Sequence, residues 1–281
     1  MSNLTHAIIG LPGSGKTTFL AALWHLIDAG EVTTTLTLDN LIGDHQYLND
    51  IVDAWRRCER VPRTSAASNI SVAINVTDVS TGQKLTLNFS DLSGESFESQ
   101  FATRSCLKSY VDAYEEEGGI LLFITADRGE DGMTILDVDA ILPDEPEAAE
   151  HVEETKEWAP DMVPAQVRLV DLLQFIQQKP FARRKRKLAV VISAWDVVPQ
   201  PRPSPLEWLK RELPFLHQFL ASNGESFEFK VYGISAQGGD VTGDKRQEML
   251  QSIPSKRIIC VEETTPTSDL TAPLVWLTKV D

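Results

Sequence analysis

Cysteine is scarce in this chain: Cys58, Cys106 and Cys260 are the only three in 281 residues. They are scattered and odd in number, which argues against a disulfide framework and for reduced, mostly buried thiols. No apolar run approaches the ~20 residues that a transmembrane helix needs. The N-terminus lacks the basic-then-apolar layout of a secretory signal. Leu277–Asp281 carries no prenylation box, and Met1-Ser2 is not a myristoylation start. The expectation is a soluble, cytoplasmic chain without membrane insertion. Basic residues are also short, with 26 Lys and Arg against 41 Asp and Glu and a formal net charge of −15. That balance argues against nucleic acid as the main partner, because phosphate backbones demand a dominant basic field. Internal repeats are absent. The length suits one large domain with insertions, or at most two small ones, and a hydrophobic content of 42% supports a sizeable core.

What the chain does have comes early. Residues 10–17 read Gly10-Leu11-Pro12-Gly13-Ser14-Gly15-Lys16-Thr17, a complete GxxxxGK[ST] loop. Ala7-Ile8-Ile9 lead in as a strand, and Thr18-Phe19-Leu20-Ala21-Ala22-Leu23-Trp24 follow with helical spacing. This context separates a phosphate cradle from the plainer alternative, a Gly-rich turn without a ligand. The glycines let successive N–H groups face the phosphates, and the helix opening near Lys16 adds its positive end. Lys16 would reach the β- and γ-phosphates, and the Thr17 hydroxyl would bind Mg²⁺. The pattern points to a nucleoside triphosphate.

Downstream, the hydrophobic pattern alternates between strand and helix. The P-loop helix covers about 16–29, residues 32–38 read as a short β-branched strand, and Asp39 caps a helix that runs to about Arg60 and ends at Pro62. Residues 70–77 and 84–90 alternate as two strands around Ser80-Thr81-Gly82-Gln83, a hairpin. A polar helix carrying Leu107, Tyr110, Val111 and Tyr114 follows. Gly118–Thr125 and Leu188–Ser193 are continuous apolar runs of the kind found in parallel strands buried on both faces. Helices are expected over 163–179, over 206–221 with a bend at Pro214, and over 270–279 behind a Ser268 or Asp269 cap. Residues 227–234 form a further strand, with a short one at 257–261. The resulting fold class is α/β, a P-loop NTPase three-layer fold with a mainly parallel central sheet, one antiparallel hairpin strand and helices on both faces. We read residues 1–281 as a single domain with two insertions, a helical one at about 38–68 and an acidic one at about 128–161. The acidic insertion reads as a surface excursion of low helical content.

Four stations fall at the C-terminal ends of strands, where open α/β sheets bind ligands. They are the P-loop, Asp91-Leu92-Ser93-Gly94-Glu95, Ser193-Ala194-Trp195-Asp196, and Ser235-Ala236. In this order and context they resemble the Ras-like, translation-factor-related P-loop small GTPases from end to end. There the second station is Asp-x-x-Gly, the third Asn-Lys-x-Asp and the fourth a Ser-Ala dipeptide at the guanine. The resemblance implies that Gly10, Pro12, Gly13, Ser14, Gly15, Lys16, Thr17 and Thr18 cradle the phosphates. It implies Mg²⁺ held by Thr17, Asp91 and a switch I threonine, for which Thr64 is the candidate and Ser65 and Ser68 the runners-up. The Gly94 N–H would meet the γ-phosphate. Asp196 would accept from the N1–H and N2–H₂ of guanine, Ser235 would accompany it, and the Ala236 N–H would donate to O6. Adenine offers an acceptor at N1 and nothing at C2, so a fixed carboxylate discriminates against it.

The departures from that pattern carry information. Ser193 and Ala194 replace Asn and Lys, which removes packing over the base. Trp195 would either shield the base in their place or serve as an ordinary core aromatic. Glu95 stands where Gln orients the attacking water, and an ionised Glu only accepts hydrogen bonds. The catalytic set is thus Lys16, Gly94 and Glu95, with slow hydrolysis expected. Arg63 and Arg104 are candidate fingers in cis, and exposed solvated arginines otherwise. Arg183-Arg184-Lys185-Arg186-Lys187 is the only dense basic run. It reads as a solvated loop paired with acidic 144–157, the alternatives being docking of an acidic partner and, third given the overall charge, nucleic-acid binding. The long helical segment before Thr64, Trp195-Asp196 and the late Pro273–Leu277 helix resemble the bacterial double-GTPases, predicted components of conflict or antiviral defence systems. The resemblance implies a GTP- and GDP-binding molecular switch signalling to regulatory or effector proteins. The alternatives are a non-hydrolysing nucleotide-bound scaffold and a P-loop small-molecule kinase. A kinase needs a basic lid, whereas the longest insertion here is acidic.

Overall fold

A computed structural model describes residues 2–40, 46–62, 71–90, 94–115, 118–127 and 159–279. Its strands are β1 (Ser2–Gly10), β2 (Leu36–Asn40), β3 (Ser71–Asp78), β4 (Lys84–Ser90), β5 (Ile120–Thr125), β6 (Arg186–Ser193), β7 (Phe227–Ser235) and β8 (Ile259–Val261). They form one eight-stranded sheet in the order β2-β3-β4-β1-β5-β6-β7-β8. The pairs β4–β1, β1–β5, β5–β6 and β6–β7 are parallel. The hairpin strand β3 is antiparallel to β4, as its turn sequence requires, and also to β2, while β8 runs antiparallel to β7 at the other edge.

The helices are α1 (Lys16–Ala29), α2 (Gln46–Arg56), α3 (Gly94–Thr103), α4 (Lys108–Glu115), α5 (Ala165–Phe175), α6 (Pro205–Glu212), α7 (Pro214–Ser222), α8 (Gly243–Leu250) and α9 (Ala272–Thr278). Alternate residues of each central strand feed two cores. Ile8, Leu121, Phe123, Ala189 and Val191 pack with α1, α2 and α9 on one face. Ile9, Leu122, Ile124, Val190 and Ile192 pack with α3 to α7 on the other. That division explains the unbroken apolar runs at β5 and β6: both faces of these strands are covered.

Several boundaries differ from the sequence reading, each for a local reason. β2 starts at Leu36 because Thr35 is diverted: its N–H and hydroxyl both donate to Asp269, each at 2.9 Å. The same carboxylate receives the Thr271 N–H, so Asp269 ties the start of β2 to the approach of α9 instead of simply capping the last helix. At Pro214 the expected bend is a break into α6 and α7, with Leu213 pushed to φ −133° and ψ 59° because a residue before proline avoids the helical region. Arg104, at φ 57°, ends α3 before α4 begins. The three cysteines are free thiols, Cys58 and Cys260 buried and Cys106 half-buried.

The basic run is not the solvated loop that its composition suggests. Arg184 donates to the Tyr114 carbonyl at the end of α4 and Arg186, buried, to that of Ala182, each at 2.7 Å. Lys187 donates to the Lys279 carbonyl at 2.7 Å and lies over the Trp276 ring. Its long side chains clamp backbone ends together while Arg183 and Lys185 stay exposed. The acidic stretch 128–158 lies outside the described residues.

Candidate functional site

Because β1, β4, β5, β6 and β7 run parallel, their C-terminal ends Gly10, Ser90, Thr125, Ser193 and Ser235 share one edge of the sheet. The phosphate loop turns there. A Cβ on Gly10 would stand 2.6 Å from Ser14 Oγ and 3.0 Å from Phe123 Cβ, so the backbone passes only as glycine. Gly15 adopts φ 88° to start α1, and a Cβ there would fall 2.9 Å from the Ser193 side chain. The loop therefore touches the end of β6 directly, and a small residue at 193 suits that contact. Lys16 is buried and its Nζ donates to the Gly10 carbonyl at 2.7 Å, the Leu11 carbonyl at 3.0 Å and Ser14 Oγ at 3.3 Å. It spans the loop from within. The first turn of α1 carries no acidic side chain and no side-chain cap, which leaves its N-terminal end suited to an anion.

At the far end of the edge, Ala194 turns the chain at φ 52°, a conformation that costs a side-chain-bearing residue about 1 kcal/mol or more. Trp195–Val197 then form one short 3-10 turn. Trp195 is the core aromatic of the two readings: it is buried edge-to-face on Trp208 at 6.3 Å and covers Gly233 so closely that a Cβ there would lie 2.4 Å from the ring. It does not shield a base. Asp196, half-buried, faces the cleft and accepts a 2.5 Å hydrogen bond from Ser235 Oγ, which accepts in turn from the Gly238 N–H at 3.1 Å. Arg202 donates to the Asp196 and Val198 carbonyls, each at 3.0 Å, and secures the turn from behind. Ser235 is thus a brace for the Asp196 carboxylate.

A single cleft of about 980 Å³ joins the two ends. It is lined by Pro12, Gly13, Ser14, Gly15, Lys16, Thr17 and Thr18, by Glu95 in the first turn of α3, and by Asp196, Ser235 and Ala236. Gly10 lies beneath the loop, and Gly94 is the first residue of α3. Thr64 and Asp91 lie outside the described residues, as do Arg63, Ser65 and Ser68. Arg104 does not serve the cleft; it pairs with Asp171 of α5, tethering α3. Sequence reasoning missed the second lip of the cleft, Glu59–Pro62, and the residue that secures it. The Trp55 indole Nε1 donates to the Ala236 carbonyl at 3.0 Å. The apolar spacing of α2 marked Trp55 as core, but nothing local signalled a partner 181 residues away.

The sequence profile of the double-GTPase 1 family matches residues 7–277. The chain belongs to the double-GTPase 1 family. The match takes in the P-loop, the Asp196 and Ser235-Ala236 stations and most of α9, and makes this a GTP-binding, GTPase-like domain. No curated protein matches the chain. Among solved structures, the GTPase-like domain of S. cerevisiae Ski7 bound to GTP is similar at 17% identity and a TM-score of 0.44, over 99% of this chain and 51% of that one. Aquifex aeolicus Era bound to GDP and AlF4⁻ is similar at 18% identity and 0.36, over 90% and 58%. A bacterial selenocysteine-specific elongation factor is similar at 14% and 0.38, over 90% and 29%. The chain spans about half the length of the Ski7 chain and less than a third of the elongation factor. The fold assignment rests on the double-GTPase 1 match and the strand order, not on these likenesses.

Proposed function

We propose that this double-GTPase 1 chain is a guanine-nucleotide switch that hydrolyses GTP slowly and signals through the segments around Thr64 and Glu95. The observation that carries the reading is a braced carboxylate, Asp196 on Ser235, at one end of a cleft whose other end is a lysine-bearing phosphate loop. Phosphates would replace the Gly10 and Leu11 carbonyls as partners of the Lys16 ammonium. Asp196 would take N1–H and N2–H₂ of guanine, and its pairing with Ser235 leaves Oδ2 and a lone pair of Oδ1 for the base.

Thr17 is the one expected Mg²⁺ ligand among the described residues. Thr17 places a hydroxyl at the first turn of α1, and magnesium takes few protein oxygens, completing its octahedron with phosphate and water. Thr17, Asp91 and Thr64 would hold it. The ion, when bound, neutralises charge on the β- and γ-phosphate oxygens. Glu95 lies on the cleft wall in the first turn of α3, within the segment that would respond to the γ-phosphate. As a carboxylate it accepts from the attacking water but offers no donor, and its charge opposes the γ-phosphate. Partner proteins of regulatory or effector type would read the reordered segments.

Single-turnover GTP hydrolysis tests this reading. The wild type should hydrolyse GTP well below the ~1 s⁻¹ of ordinary enzymes, and Glu95→Gln should accelerate it about tenfold by supplying the missing donor. Turnover near 1 s⁻¹ without a partner would refute slow hydrolysis. No hydrolysis in either form would leave a nucleotide-bound scaffold instead.

A further inference from the structure

The base end of the cleft is held from a direction that the motifs do not announce. Trp55, the penultimate residue of α2, is fully buried between the His25 imidazole of α1, with ring centroids 5.0 Å apart, and the Arg257 guanidinium, 4.8 Å from its ring. Burial lowers the pKa of His25, outweighing the opposing pull of Glu31 on the same ring. From this slot Nε1–H donates to the Ala236 carbonyl at 3.0 Å, and the Gln237 side-chain amide donates back to the Trp55 carbonyl at 3.2 Å. The C-terminal end of α2 is fastened to the same region. Arg246 of α8 donates to the Arg57 and Cys58 carbonyls at 3.1 and 3.0 Å. Gly238 presses on Arg257 so closely that a Cβ would fall 2.6 Å from its carbonyl oxygen.

Two anchors therefore flank one backbone donor. On one side the Ser235 hydroxyl is locked between Asp196 and the Gly238 N–H; on the other the Ala236 carbonyl is locked by Trp55. The Ala236 N–H between them has little freedom to turn. We infer that Trp55 is a positioning residue for purine recognition: by pinning the Ala236 carbonyl from α2, it aims the Ala236 N–H at O6 and makes the cleft selective for a 6-oxopurine. This rests on the guanine reading of the cleft. It also joins the base-reading turn to the Glu59–Pro62 lip that follows Trp55.

The test is a competition assay on the full chain with Mg²⁺, using GDP, ADP, inosine diphosphate (which lacks the N2 amine) and 6-thioguanosine diphosphate (which exchanges O6 for a weakly accepting sulfur and keeps N1–H and N2–H₂). In the wild type, exchanging O6 for sulfur should weaken binding about tenfold or more, because the buried Ala236 N–H loses its strong acceptor. Trp55→Phe keeps a ring in the slot but removes the N–H. It should cut that O6 penalty to within about threefold while leaving the N2 penalty, read by Asp196, unchanged. Gln237→Ala, at a half-buried position, should shift the O6 penalty in the same direction by a smaller factor, and it decides the matter alone if Trp55→Phe does not fold. An undiminished O6 penalty overturns the inference, and so does an equal fall in both penalties, which would mark Trp55 as packing only. A wild type indifferent to GDP and ADP would instead overturn the guanine reading beneath it.

Discussion

Lys16→Ala is expected to weaken GTP binding by about 100-fold or more, measured by isothermal titration in the presence of Mg²⁺. The ammonium is buried within the loop, and its present partners are two backbone carbonyls and a serine hydroxyl. Phosphate oxygens are stronger partners for it: a hydrogen bond between charged groups contributes about 1.5–3 kcal/mol, roughly twice a neutral one. Two such bonds to the β- and γ-phosphates account for the expected factor. Alanine also leaves the carbonyls of Gly10 and Leu11 without this donor, so the variant's thermal midpoint belongs beside the titration. A variant that folds and binds GTP within about tenfold of wild type would show that the phosphates sit elsewhere.

Asp196→Asn should exchange one base for another. The carboxylate offers only acceptors, matched to the N1–H and N2–H₂ of guanine. The amide places a donor against N2–H₂, which repels guanine, and the same donor fits the C2 carbonyl of xanthine. GDP affinity should fall about 100-fold and xanthosine diphosphate affinity rise by a similar factor, as expected when a site built around specific hydrogen bonds meets a mismatched group. The brace survives, because Ser235 Oγ still finds an acceptor in the amide oxygen. An equal loss for every nucleotide would place Asp196 in the fold and not at the base.

Much of this site is legible in the sequence because its chemistry is local. The phosphate loop is consecutive, its glycines answer to contacts within a few residues or across one strand, and α1 starts where the lysine predicts. Asp196 and Ser235 are legible by position, one just past a buried parallel strand and the other at the end of one. The hydrogen bond between them is not, since no pattern reports which of two serines, 193 or 235, turns towards the carboxylate. Trp195 illustrates the limit. Its burial depends on Gly233, a glycine in the neighbouring strand that leaves room for the ring. Likewise the start of β2 depends on Asp269, 234 residues away, and the basic run resolves into contacts with carbonyls at 114, 182 and 279. Charge density marks a segment as polar without saying whether its partners are solvent or backbone. Trp55 combines both difficulties: its burial was readable from α2, its hydrogen bond only from the fold.

The central claim is that the phosphate loop and the Asp196 carboxylate serve one guanine nucleotide. Mass analysis of the nucleotide that co-purifies with the chain in Mg²⁺ tests it most directly. GDP or GTP is the predicted result; ADP or ATP in its place would contradict the account.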